Sequence, residues 1–232
     1  MKKRIVISFS GGKDSTLALH RLMTSDEWEI DSLFTTITED YKRTSIHGVR
    51  ETLLEQQASS LGIPLRKAYI PKACSNELYE QIMGKEVQKM MDDNVTHMMF
   101  GDIHLEDVKE YREKMLSQTS LKPVFPLWGE DPKKIMNEFL HLGFQTVLTC
   151  VDSKQLDSAF VGRVIDHEFI KDLPSGVDFC GENGEFHTFV FKGPIFETEI
   201  NFIVSDEKTV TKDVYSNQDR FYFVDLLPTT DR

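Results

Sequence analysis

The run Ser10-Gly11-Gly12-Lys13-Asp14-Ser15 links a short β-branched stretch to a helical pattern, and its residue types are those of an anion cradle. Two glycines reach dihedrals closed to other residues and let the backbone approach a ligand. The N–H groups of the loop and of the helix start point toward one site, where the helix dipole adds partial positive charge. Lys13 supplies a full charge, and Ser10 and Ser15 supply hydroxyl donors. Asp14 is odd in a pure anion site; it either caps the helix or helps hold Mg²⁺ beside phosphates. The loop is not a Walker A sequence. That pattern needs glycine where Ile7 stands and serine or threonine where Asp14 stands. The bland alternative is a glycine turn, but its position between a buried strand and a helix favours the cradle.

A second constellation lies far along the chain. Glu182 and Glu185 sit three apart in a glycine-bounded loop, followed by His187. Two carboxylates and an imidazole in one turn suit binding of ammonium, holding of Mg²⁺ or proton movement; the competing reading is a solvated surface turn. Asp102 follows a strand at the sheet edge where ligands collect, and serves either Mg²⁺, a substrate amine or a turn cap. His47 and Arg50 precede a helix, where they meet phosphate or ribose, or decorate the helix start. His104 reads as solvated. Cys180 adjoins the acidic loop, but no activating base for a nucleophile is evident. Cys180 and His187 lack a second pair at zinc-ligand spacing.

The elements that must position these groups alternate in the first half. Strands are predicted over 4–9, 31–38, 65–70 and 96–100, and helices after the glycine pair and over 48–61, 75–93 and 106–118. The first helix carries Ala18, Leu19, Leu22 and Met23 on one face. The methionine stripe of the third (Met83, Met90, Met91) is predicted to be core. Such a series implies an α/β fold with a parallel sheet and helices on both faces, with ligands at the carboxyl ends of the strands. The second half changes character: an extended segment at 123–128, a helix over 132–142, and strands over 144–151, 187–192, 197–204 and 221–227. We expect a smaller α+β domain there. The division falls between 1–120 and 121–232, with the junction as a cleft.

Composition bounds the function. Lys plus Arg number 27 and Asp plus Glu 38, a net charge of −11. So acidic a chain is a poor general nucleic-acid binder. Three dispersed cysteines without a CxxC pair argue against a disulfide framework. No apolar stretch approaches membrane-spanning length and no secretory core follows the basic start, so the expected location is the cytoplasm. A homo-oligomer stays open.

A Ser-Gly-Gly-Lys-Asp-Ser loop after an amino-terminal strand resembles the PP-loop ATP pyrophosphatases. The resemblance implies an adenine-nucleotide α-hydrolase-like, Rossmann-like sheet that cleaves ATP between the α and β phosphates. Residues 10–15 then hold the pyrophosphate portion. Ile46-His47-Gly48-Val49-Arg50, Leu61-Gly62-Ile63-Pro64, Gly101-Asp102-Ile103, Phe125-Pro126-Leu127-Trp128, Cys180-Gly181-Glu182-Asn183-Gly184-Glu185-Phe186-His187-Thr188 and Gly193-Pro194 resemble the diphthine–ammonia ligase-like branch across nearly the whole chain. That resemblance implies a PP-loop ATP-binding domain over 1–120 that holds ATP·Mg²⁺, with Asp14 as the candidate Mg²⁺ ligand and His47, Gly101 and Asp102 at the nucleotide, and a substrate-binding domain over 121–232. It implies a carboxylate acceptor, small molecule or protein, which is adenylated and then amidated by ammonia. Lys13, Asp14, Glu182 and Glu185 become the catalytic candidates, and Arg112, Glu182, Asn183, Glu185 and His187 the acceptor site. Asn183 and His187 replace a glycine and an acidic residue of diphthamide-making members, which resembles a bacterial-type branch whose acceptor need not be diphthine. Two rival readings keep the nucleotide: a tRNA-modifying PP-loop enzyme, and a nucleotide sensor without turnover.

Overall fold

β1 (Lys3–Ser8) is a central strand of a mostly parallel sheet in the computed structural model, which describes residues 2–44, 47–213 and 216–229. Its period-two alternation serves two cores. Ile5 and Ile7 pack with α1 (Lys13–Met23), while Val6 faces the other side of the sheet. In chain order there follow β2 (Trp28–Thr38), the two-residue β3 (Arg43–Thr44), α2 (Glu51–Leu61), β4 (Leu65–Ile70), α3 (Asn76–Asp92), β5 (His97–Met99), α4 (Glu106–Leu116) and β6 (Lys122–Val124). α2 joins the core of Ile5 and Ile7, and α3 that of Val6, so helices cover both faces as anticipated.

The parallel strands lie in the order β4-β2-β1-β5-β6. The chain runs outward from β1 through β2 to β4, then returns to place β5 on the other side of β1. The strand order therefore reverses between β1 and β5, and a crevice forms beyond their carboxyl ends. Residues 10–15 leave β1 at that point and Gly101-Asp102 leave β5.

The second half continues with α5 (Pro132–His141), β7 (Gln145–Asp152), α6 (His167–Asp172), β8 (Phe186–Lys192), β9 (Phe202–Lys212) and β10 (Asp219–Pro228). Asp131 caps α5 by accepting from the Lys133 N–H, with Pro132 in the first turn. An antiparallel sheet has the order β8-β7-β10-β9. One core joins the two sheets: Ile5 and Leu17 belong to the same cluster as Val147 and Phe189. α1 lies between them, with Lys13, Ser15, Thr16, Leu17, Ala18, Leu19 and Leu22 all buried.

Some boundaries move for identifiable reasons. The helix expected from 48 begins at Glu51 because residues 48–50 are held by β3, which pairs with β2; the Thr44 N–H donates to the Val49 carbonyl and Arg43 bridges Arg50. Ile46, quoted above in a motif, lies outside the described residues. Met23 is exposed rather than core, at the end of α1. The strand expected over 197–204 is β9, which starts at Phe202 and runs to Lys212. Its charged Ser-Asp-Glu-Lys stretch looks like loop in sequence, yet it forms an outer edge strand whose charges face water.

Candidate active site

The glycine loop is stitched to the second sheet. Gly11 stands at φ +79°, and its carbonyl accepts from the Val190 N–H of β8 (2.9 Å) and from Gln57 Nε2 (3.0 Å). Gln57, with no exposed surface, also donates to the Val190 carbonyl at 2.6 Å. The Lys13 N–H donates to Thr188 Oγ1 (3.1 Å) and the Gly12 N–H to Ser10 Oγ (3.2 Å). Two N–H groups expected to face a ligand are thus held by hydroxyls. The first-turn N–H groups of Asp14 and Ser15 have no partner within the helix and keep the dipole end available. β5 comes so close that a Cβ on Gly101 would stand 3.0 Å from the Ser15 nitrogen.

Beyond this loop opens a cavity of about 220 Å³. Ser10, Lys13, Asp14, Ser15, His47, Gly101, Asp102, Arg112, Glu182 and His187 line it, joined by Cys180 and Thr188. Sequence positions from residue 10 to residue 188 therefore meet on one wall. Gly11 and Gly12 shape the loop from behind. Asn183 and Glu185 do not reach the cavity. Glu185 is 2% exposed; its Oε1 accepts from the Asp178 N–H (2.9 Å) and from Asn183 Nδ2 (3.1 Å). The two residues brace the turn that presents Glu182. Residue spacing alone could not say which positions of the turn face inward.

Lys13, 3% exposed, reaches both Asp14 oxygens at 2.7 Å. Burial works against its charge, but Asp14, Cys180 and Glu182 outweigh it and hold the ammonium above the ordinary lysine value. Asp102 Oδ2 and Arg112 Nε stand 3.6 Å apart, and each is buried without a hydrogen-bond partner among the described residues. Burial raises the Asp102 pKa, with Asp14 adding to the effect, despite Arg112. An orphaned carboxylate oxygen and an orphaned guanidinium nitrogen on a cavity wall fit a polar ligand between them. His47 and His187 come from the two halves, their rings 4.6 Å apart; burial lowers both, His47 to about 4, so both are neutral imidazoles.

Glu182 crosses to the first sheet, where its Oε1 accepts from the Ile103 N–H at 2.7 Å. Burial pushes its pKa up to about 7, with the carboxylates Asp14 and Asp102 contributing. The folded chain thus keeps a proton there that the unfolded chain releases in the ordinary carboxylate range. Stability must fall as pH rises through that interval to about 7. Glu182→Gln keeps the acceptor and removes the titration. Its melting temperature gains on the wild type between pH 5 and 8, by an amount on the order of 2 kcal/mol or roughly 4–8 °C. A gap between the two that stays constant with pH contradicts the assignment.

Other candidates resolve differently. Arg50 is bound by Asp225 rather than facing the cavity, and His104 meets Asp178 at 3.1 Å rather than solvent alone. Burial pushes the Cys180 thiol well up and the Cys150 thiol to about 12, so neither is poised as a nucleophile. All three cysteines are free. Among the described residues no group of three His, Cys, Asp or Glu could hold a metal ion, and no helix is long and apolar enough to cross a membrane.

Sequence reasoning missed Gln57, which looks like an ordinary polar helix residue, and a second pocket of about 350 Å³. Phe34, Thr35, Thr36, Tyr79, Met83, Met98 and Met115 line it, and Ser8, Ser10, His47, Phe100 and Arg112 line both spaces. Met83, assigned to the core, is also pocket wall; helical periodicity cannot separate the two.

A glycine loop and a buried lysine at the reversal point of a parallel sheet, roofed by an antiparallel one, define a two-sheet α/β protein with a composite polar cavity. Residues 2–123 match the diphthamide synthase N-terminal domain, and residues 131–220 match the diphthamide synthase C-terminal domain. The chain belongs to this diphthine–ammonia ligase-like family. It is 23% identical over 256 residues to the diphthine–ammonia ligase of Bos taurus, covering 96% of this chain and 91% of that one. It is 24% identical to the Homo sapiens ligase over 230 residues (85% and 82% covered) and 25% identical to that of Danio rerio over 232 residues (89% and 88%).

Proposed function

We propose that the chain is an ATP-dependent amide-forming ligase that activates a carboxylate with release of AMP and pyrophosphate and passes it to ammonia. The observation that carries this reading is the joining of two unlike spaces at the strand-order reversal. One is polar, with Lys13 and a helix start; the other has aromatic and methionine walls suited to a base. His47 and Arg112 stand where they meet. In this reading the triphosphate lies against Ser10, Lys13 and Ser15, and the base in the apolar pocket.

The chain's own groups then have definite tasks. Lys13 neutralises charge that develops on the departing pyrophosphate. Arg112 Nε, which has no hydrogen-bond partner among the described residues, is offered to an anion. Glu182, titrating near neutrality, takes a proton from the attacking nitrogen. Roofing by the second sheet limits water, which would otherwise consume the activated acid. Magnesium, when bound, offsets phosphate charge; Asp14 and Asp102 are the carboxylates at hand, and one or two suffice where phosphates supply other ligands. The acceptor is a small-molecule or protein carboxylate, and His187 on the wall supports an acceptor other than diphthine. Incubation with ATP, Mg²⁺, ammonium and a panel of carboxylic acids yields AMP and pyrophosphate in equal amounts, dependent on ammonium and one acid. Formation of ADP and phosphate instead overturns the reading.

A further inference from the structure

The last strand, β10, reaches across to the first sheet with two side chains from one face. Phe223 lies against Gly48, where a Cβ would stand 3.1 Å from its ring. Asp225, two residues on, accepts from Arg43 Nη1 and Nη2 (both 2.8 Å) and from Arg50 Nε and Nη2 (3.0 and 2.6 Å). One carboxylate thus satisfies two guanidiniums in fork geometry. Three residues of β9, 205–207, stand opposite Asp225 alone, a bulge of the kind that re-aims a neighbouring side chain. Arg43 also donates to the Gly48 carbonyl at 2.9 Å. Arg43 and Arg50 are joined by a bridge, and Thr44 exchanges backbone hydrogen bonds with Gly48 and Val49, next to His47.

We propose that Asp225 is a positioning residue: by tying Arg43 to Arg50 it holds β3 against Gly48 and Val49 and so fixes the neighbouring His47 imidazole at the seam between the two pockets. The physical reason is charge. Without the carboxylate, two guanidiniums are left side by side and repel. The bridge between Arg43 and Arg50 then opens, Gly48 shifts with it, and the contact of His47 Nδ1 with the Thr188 carbonyl, already 3.4 Å, is lost. Burial, with Lys13 nearby, is what keeps His47 neutral; the His187 ring and the Thr188 carbonyl are its other neighbours. The sequence gives no hint of this, since Asp225 lies 175 positions from Arg50.

The role of Asp225 in turnover rests on the ligase reading, but its geometry does not, so the test is made on the ligand-free chain. Histidine Cε1–Hε1 resonances are followed by NMR from pH 4 to 8, with His47→Gln to assign the signal. In the wild type His47 stays neutral at pH 6. In Asp225→Ala its midpoint rises by at least one pH unit toward that of a free imidazole. In Arg50→Gln, where one arm remains, it rises by less, and in Asp225→Glu it stays near the wild-type value. An unchanged His47 midpoint in Asp225→Ala overturns the proposal; should that variant not fold, an unchanged midpoint in Arg50→Gln does so. Failure to form AMP with this NMR pattern intact counts against the ligase reading alone.

Discussion

Lys13→Ala lowers AMP formation by about 10²- to 10³-fold, the usual cost of removing a fixed charge from the site where transition-state charge develops. The residue is buried and holds its proton firmly, and the other cation on the cavity wall, Arg112, stands beside Asp102, while Asp14 and Glu182 make the rest of the wall acidic. Truncation also leaves Asp14 without its partner. Breaking a buried pair costs about 3–5 kcal/mol when the remaining charge stays buried. Asp14 keeps 27% side-chain exposure and can protonate, so the stability loss lies at or below the low end of that range. The two effects separate by measurement. Rapid-quench assays of AMP release report the catalytic loss, and thermal melts report the structural one. Lys13→Met, which keeps an apolar stem but loses the Nζ that stands 5.7 Å from the Phe186 ring centre, retains more stability than Lys13→Ala but no more activity. A Lys13→Ala protein within threefold of wild-type turnover contradicts the assigned role.

Gly11→Ala has a comparably large effect by a different route. The position needs φ +79°, which costs an L-residue roughly 1–2 kcal/mol. The added methyl would also stand 2.5 Å from Gln57 Oε1 and 2.7 Å from Leu54 Cδ2. Overpacking of this kind adds about 1–3 kcal/mol. Gln57 cannot swing aside freely, because its amide holds both the Gly11 and Val190 carbonyls. The combined strain, about 2–5 kcal/mol on those figures, either unfolds the loop or displaces it from β8. The expected result is a lowered melting temperature and at least tenfold weaker Mg·ATP binding by calorimetry. Gly62→Ala serves as the control: its φ is also positive, but nothing lies within 4 Å, so it loses stability and keeps affinity.

What could be read from the sequence was local. The glycine loop between a β-branched strand and a helix carries its own geometry, and the alternation of elements through α4 implies the parallel sheet that places the loop and Asp102 together; β6, read as an extended segment of the second half, belongs to that sheet as well. Glu182 was recognisable as a chemical group, but its bond to Ile103, 79 positions away, was not. Glu185 shows the limit within a single motif. A glycine-bounded turn leaves the inward direction undetermined, and only packing against Asp178 and Asn183 turns this carboxylate away. Gln57 and Asp225 were invisible for the same reason: each is defined by partners contributed from the other half of the chain. β9 was displaced because an edge strand with charges toward water has the composition of a loop.

For the ligase chemistry to run, the glycine loop and the neighbouring apolar pocket must form a single nucleotide site. Crystals grown with Mg²⁺ and α,β-methylene-ATP, which resists cleavage at the bond in question, test this directly. The account predicts phosphate density against Lys13 and Ser15, with the base between Phe34 and Met83. A nucleotide bound elsewhere, or a cavity that excludes it while Lys13 stays paired with Asp14, contradicts the account.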